Sequence, residues 1–184
     1  MLSKQLISLT VCCMTVFIST AQITLTDPEG RQVDFRTAIS GQYQVVVFML
    51  ADCPACQTYS KTLRELYQYY RKQHVQFTGV FPGTFQTKEE VASFRKSYRI
   101  EFPLLIDSDK LLTKRLGATV APEVFVLDQN GSTVYSGRID DWMYAIGKKR
   151  AVITKHDLRA ALEAVVHEKK PDPSKTVPIG CIID

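Results

Sequence analysis

Cys53 and Cys56 sit at the ends of Cys53-Pro54-Ala55-Cys56. Two thiols at this spacing suit disulfide exchange, a small structural bridge, or half of a zinc site. A second ligand pair at metal spacing is missing, since His74, His156 and His167 are isolated and Cys181 stands alone. A bridge closing so short a loop stabilises a fold little, which disfavours a structural purpose. Exchange is the reading the local pattern favours. Tyr43 to Leu50 is a continuous β-branched and aromatic run, as expected of a strand buried on both faces. From Cys56 the period becomes helical: Cys56, Tyr59, Leu63, Leu66, Tyr67 and Tyr70 form one stripe, with Lys61, Arg64, Glu65, Arg71 and Lys72 opposite. The cysteines therefore fall where a strand meets a helix N-terminus. Unpaired N–H groups and the helix dipole favour an anion there, and lower a thiol pKa below its free value of about 8.5. Cys53 is the expected nucleophile. Cys56, one turn on and at the head of the apolar stripe, is the expected resolving thiol.

The elements that must hold this junction can be read along the chain. Residues 23–26 and 32–35 are short strands around Asp27-Pro28-Glu29-Gly30. Val75 to Phe81 is a second strand, ended by Pro82-Gly83. Thr87 to Glu90 is a capping box for a helix through Val91, Phe94 and Tyr98. Phe102 to Ile106 is a strand, followed by a short helix capped by Asp107-Ser108-Asp109 and stopped by Gly117. Pro122 to Leu127 and Thr133 to Arg138 form a hairpin about Asp128-Gln129-Asn130-Gly131. Residues 139–153 read as an irregular loop with Trp142 and Tyr144, which either pack the loop down or line a substrate surface. A last helix starts at Thr154 and Asp157 and presents Leu158, Leu162, Val165 and Val166. The alternation predicts one α/β domain with a central mixed sheet flanked by helices on both faces.

The first residues set the compartment. Lys4, the apolar stretch Leu6 to Ile18 and the small residues Ser19-Thr20-Ala21 have the form of a secretory signal peptide cut after Ala21. A lipoprotein signal at Cys12 or Cys13 and a retained signal anchor are the rivals, and membrane association enters only through them. All three export the domain to the periplasm or another extracytoplasmic space, where disulfides persist. Removing residues 1–21 leaves Cys53, Cys56 and Cys181. The organisation expected is a signal at 1–21, a domain at 22–167 and a proline-containing C-terminal tail at 168–184. With 184 residues, 45% hydrophobic, 10% aromatic and 23% charged, the chain is neither disordered nor a disulfide-stapled miniature. Its net charge of +4 is interleaved with acids, which gives no nucleic-acid footprint.

The strand, the Cys53-Pro54-Ala55-Cys56 motif and its helix resemble the thioredoxin superfamily. Val120-Ala121-Pro122 followed by Glu123-Val124-Phe125-Val126-Leu127-Asp128 is similar to that superfamily's cis-proline segment. The strand and helix inserted between motif and proline resemble the TlpA/ResA-like and redoxin (AhpC/TSA-type) branch, over about residues 23–167. The resemblance implies a thioredoxin-like fold, a cis Pro122 against the cysteines, and a thiol-disulfide oxidoreductase. It implies protein thiols or disulfides as substrates, an upstream redox partner, and no organic cofactor or metal, since the cysteines carry the electrons.

This chain also departs from the pattern. Asp52 stands where thioredoxins commonly carry Trp, and a carboxylate there opposes thiolate formation. Glu123 is either a proton relay for Cys56 or a solvated charge at a strand end. Peroxiredoxins carry Pro-x-x-x-Thr-x-x-Cys; Val46 and Leu50 occupy those places here, so the peroxide-activating hydroxyl is missing. Thiol peroxidase and a copper-binding, metallochaperone-like role through Cys53 and Cys56 remain the alternatives. Cys181 follows a tail of about 13 residues, which spans up to about 43 Å when extended and so reaches the motif. It is a third redox thiol, an intermolecular bridge, a metal ligand or an inert residue.

Overall fold

The computed structural model describes residues 22–35 and 43–183. Its strands are β1 (Thr24–Thr26), β2 (Gln32–Asp34), β3 (Tyr43–Phe48), β4 (Val75–Pro82), β5 (Leu104–Asp107), β6 (Val120–Ala121), β7 (Glu123–Asp128), β8 (Thr133–Gly137), β9 (Met143–Ala145), β10 (Lys148–Lys149) and β11 (Cys181–Ile182). Its helices are α1 (Pro54–Tyr70), α2 (Lys88–Tyr98), α3 (Leu111–Leu116) and α4 (Asp157–Val166), with a 3-10 turn at Arg71–Gln73. The expected signal segment lies outside the described residues.

Seven strands form a mixed sheet in the order β2-β1-β5-β4-β3-β7-β8. Strands β3, β4 and β5 run parallel, whereas β7 pairs antiparallel with β3, and β8 antiparallel with β7. Strand alternation divides the core in two. Val45, Val47, Phe77, Phe81, Val124 and Val126 face Tyr59, Leu63 and Leu66 of α1, Val91 and Phe94 of α2, and Leu158 and Leu162 of α4. Val46, Phe48, Val80, Leu105, Phe125 and Leu127 face the other way, against Leu112 of α3 and Leu25 of β1. A strand packed on both sides has little room for polar positions, which is why Val45 to Phe48 reads as an unbroken apolar run, and the buried Gln44 before it donates to Thr78 Oγ1 at 2.8 Å.

The local signals act as expected at three helix ends. Thr87 and Glu90 form the reciprocal capping box of α2. Asp107 governs α3 from the end of β5: its carboxylate accepts from the Leu111 and Thr113 amides at 3.0 and 2.8 Å and from the Thr113 hydroxyl at 2.7 Å. The helix then stops at Gly117, whose φ of 73° suits glycine.

Two segments between residues 139 and 157 differ from the sequence reading. Residues 139–153 are not wholly irregular, because β9 and β10 close a small hairpin about Ile146-Gly147. Trp142 packs edge-on against Tyr59 of α1, with centroids 5.8 Å apart, and Lys149 lies 4.4 Å over its ring. Tyr144 is exposed. Helix α4 begins at Asp157 rather than Thr154, because the Thr154 amide and hydroxyl and the Lys155 amide are bound to the Asp141 carboxylate.

The segment after α4 folds back onto the domain. Pro171 is buried. The Ser136 amide donates to the Ser174 carbonyl at 3.0 Å, and the Thr176 amide to the Ser136 carbonyl at 2.9 Å. The chain thus covers β8, a sheet edge that would otherwise present unpaired backbone groups. It then adds β11 antiparallel to β6.

Leu63 is fully buried at the centre of the α1 face. Leu63→Ala is expected to lower unfolding stability by about 2–5 kcal/mol, measured by urea denaturation. An effect near zero would show that α1 is not packed as described.

Candidate active site

Strand β3 ends at Phe48, and the chain turns through Leu50, Ala51 and Asp52 into α1. Cys53 is the N-cap residue with extended backbone (φ −80°, ψ 116°), and Pro54 takes the first helical position, where its missing N–H costs nothing. Gln86, from the loop after β4, clamps the turn: its Oε1 accepts from the Ala51 amide and its Nε2 donates to Asp52 Oδ1, both at 2.9 Å. Sequence reasoning missed Gln86, since a lone loop glutamine carries no pattern. Asp52 is therefore held sideways beside the motif.

Opposite this turn, the Ala121–Pro122 peptide is cis. Cys53 Sγ lies 3.3 Å from the Ala121 carbonyl oxygen. With the sulfur in a disulfide this is a contact and not a hydrogen bond; only the free thiol has a proton to donate. Glu123, the residue after the proline, is buried and is not the solvated strand-end charge that the sequence allowed. Its Oε2 accepts from the Thr119 amide at 2.8 Å and, more weakly, from the Val120 amide at 3.4 Å. The carboxylate thus braces the loop that leads into the cis peptide.

The third cysteine lies in the same place. Cys181 is bonded to Cys53, with Cα atoms 6.1 Å apart, and Cys56 is a free thiol. Cys181 pairs with Ala121 and Ile182 with Val120 across the β6–β11 ladder. The site thus unites Asp52, Cys53, Cys56, Pro122, Glu123 and Cys181. Cys181 could be noted in the sequence but not placed, because its partner is 128 residues away.

Cys56 is fully buried, and Leu50 N–H donates to its Sγ at 3.4 Å. Burial pushes its thiol up to about 12, and the negative charge of Asp52 acts in the same direction against the Leu50 hydrogen bond. The carboxylate foreseen as an obstacle to thiolate formation at Cys53 thus bears on Cys56. Among the described residues, no group of three or more His, Cys, Asp or Glu side chains is placed to hold a metal ion. A cleft of about 660 Å³ opens beside the disulfide, lined by Asp52, Phe85, Gln86, Cys181 and Ile182 among others. Phe85 and Ile182 are exposed on its rim.

A strand–helix cysteine motif facing a cis-proline across a mixed sheet defines a thioredoxin-fold protein. The AhpC/TSA family matches residues 19–136, more than half of the chain, and the chain belongs to that family. It is 28% identical over 146 residues to the thiol-disulfide oxidoreductase ResA of Geobacillus thermodenitrificans, covering 77% of this chain and 72% of that one. Identity to ResA of Bacillus subtilis is 24% over 110 residues, covering 60% of each. Among solved structures, a hypothetical protein from Sinorhizobium meliloti aligns over 89% of this chain and 90% of its own, with TM-score 0.77 and 28% identity. A secreted disulfide oxidoreductase of Mycobacterium tuberculosis aligns over 61% of this chain and 80% of its own (TM-score 0.53, 22% identity), a likeness of fold alone. These relations place the chain with the ResA/TlpA-like oxidoreductases of the thioredoxin superfamily.

The Cys56 environment has a pH consequence. Its folded pKa lies above the ordinary 9.0, so the neutral thiol is favoured in the native state. The stability contributed by keeping Cys56 neutral is complete below about pH 9 and is lost as pH rises towards about 12. Peptide-resolved alkylation of native Cys53→Ser/Cys181→Ser protein should show Cys56 labelling still climbing above pH 9. A plateau near pH 9 would show that Cys56 is not held in a desolvated site.

Proposed function

We propose that this chain is an exported thiol-disulfide oxidoreductase that exchanges disulfides with protein substrates, with Cys53 as nucleophile and Cys56 as resolving thiol. The observation that carries the reading is the position of Cys53. It caps the N-terminus of a 17-residue helix and touches the carbonyl that precedes a cis-proline. The free thiolate of Cys53 there faces the positive end of the helix dipole, and the Val120–Ala121 edge offers backbone groups to an extended chain. Attack by Cys53 on a substrate disulfide forms a mixed disulfide and releases one substrate thiol. Cys56 then attacks Cys53 Sγ, frees the second substrate thiol and leaves a Cys53–Cys56 bridge. The reverse sequence oxidises a substrate dithiol. Pro122 shapes the wall against which the substrate lies, and Glu123 positions the loop before it. An upstream thiol or disulfide partner restores the starting state, and no organic cofactor enters the reaction.

The ResA relatives, named thiol-disulfide oxidoreductases, support this reading over its peroxidase rival. Leu50 at the place of the peroxiredoxin threonine supports it as well. Export rests on residues 1–21, and cleavage after Ala21 predicts Gln22 as the first residue of protein recovered from the native envelope. Terminal sequencing checks this, and an N-terminus still beginning at Met1 in the cytosolic fraction would refute export.

Trapping tests the exchange itself. Cys56→Ser alone leaves Cys181 able to occupy Cys53. The trapping variant is therefore Cys56→Ser/Cys181→Ser, which should accumulate mixed disulfides with envelope proteins on non-reducing gels. Adding Cys53→Ser should abolish them. If the double variant traps no partner in its native envelope, the oxidoreductase reading fails.

A further inference from the structure

We propose that Gly180–Ile182 is a tethered substitute for substrate, and that Cys181 is a third exchange cysteine of the site. This rests on the exchange function proposed for Cys53. Segment and site are fitted at three places. The ladder sets Cys181 opposite Ala121 and Ile182 opposite Val120, with an Ile183 amide to Thr119 carbonyl bond of 3.0 Å beyond it. These are the backbone groups that an extended substrate would need. Gly180 then passes so close to the cis peptide that a Cβ on it would lie 2.1 Å from the Ala121 carbonyl oxygen and 3.0 Å from Pro122 N. Only glycine fits there. Finally, the segment is anchored upstream at β8. Thr176 Oγ1 accepts from the Arg138 amide at 3.0 Å and shares a 2.8 Å hydrogen bond with the Tyr135 hydroxyl, and a Cβ on Gly137 would lie 2.2 Å from it. A random tail encounter has no reason to carry two such glycine-dependent approaches.

The chemistry is a disulfide interchange with no net oxidation. In the closed form Cys53 is bonded to Cys181 and Cys56 carries the proton. Cys56, as thiolate, attacks Cys53 Sγ. The Cys53–Cys181 bond breaks as the Cys53–Cys56 bond forms. Cys181 leaves as thiolate and takes up a proton equivalent to the one Cys56 lost. The open form has the same electrons, a free Cys181 and an unoccupied Val120–Ala121 edge. Burial of Cys56 slows opening of the closed form, since the attacking thiolate is scarce. A substrate strand favours the open form by competing for β6. A tethered competitor acts at an effective concentration on the order of millimolar, so only segments that pair well with the edge gain entry.

The test equilibrates the full chain in a glutathione buffer, quenches with acid and maps disulfides by non-reducing mass spectrometry. Wild-type protein should hold mainly Cys53–Cys181. Gly180→Ala should move most of the population to Cys53–Cys56. Both Gly180→Ala and Cys181→Ser should exchange with a cysteine-containing model peptide about tenfold faster or more, because the tethered competitor is lost. A Gly180→Ala protein that keeps the wild-type share of Cys53–Cys181, or a Cys181→Ser protein that exchanges at the wild-type rate, would overturn the proposal. Failure of the underlying function reads differently, because Cys181→Ser would then exchange with no peptide at all.

Discussion

The contact between Cys53 and the Ala121 carbonyl is the constraint on which the site depends. Two distant parts of the chain must deliver it: the β3–α1 turn and the loop that enters β7. Neighbouring strands of the sheet bring them together, since Phe48 at the end of β3 pairs directly with Glu123 at the start of β7. Everything near the site serves this register. Gln86 fixes the turn on one side, and the buried Glu123 carboxylate fixes the Thr119–Val120 loop on the other. A one-residue slip of β7 against β3 would move every β7 side chain to the opposite core and carry Ala121 away from the sulfur.

The three cysteines differ by environment. Cys53, buried while bonded to Cys181, sits at a helix N-terminus at the floor of the cleft. Cys56 is sealed in the core with its thiol ionisation suppressed. Cys181 arrives on β11, tethered opposite Ala121 and bonded to Cys53. Burial, helix field and tethering thus assign separate tasks to chemically identical groups, and they do so without a metal or an organic group in the reaction as proposed. Asp52 joins in this division, because its charge opposes ionisation of Cys56 while its side chain is tied to Gln86.

Much of the fold was legible because its signals are local. The apolar run of β3, the helical stripe of α1, the Thr87 capping box and the Gly117 stop each follow from a few adjacent residues. Long-range pairings were not legible. The Asp141 carboxylate captured Thr154 and moved the start of α4, and the Ile146-Gly147 turn built a hairpin where only a loop had been expected. The largest gap was the segment after residue 167. Proline and polar residues gave it the composition of a free tail, yet its backbone hydrogen bonds go to β8 and β6. Composition reports which residues cannot build a core; it does not report which sheet edge is left open to receive them. Gly180 beside Cys181 was the one local hint, and its meaning depends on the carbonyl of Ala121.

The most direct measurement of the central claim is a crystal structure of Cys56→Ser/Cys181→Ser protein joined to a cysteine-containing peptide. The account predicts a disulfide from Cys53 to the peptide cysteine, that cysteine opposite Ala121, and an antiparallel ladder along Val120–Ala121. A peptide bonded to Cys53 but paired elsewhere, with Gly180–Ile182 still docked on β6, would contradict it.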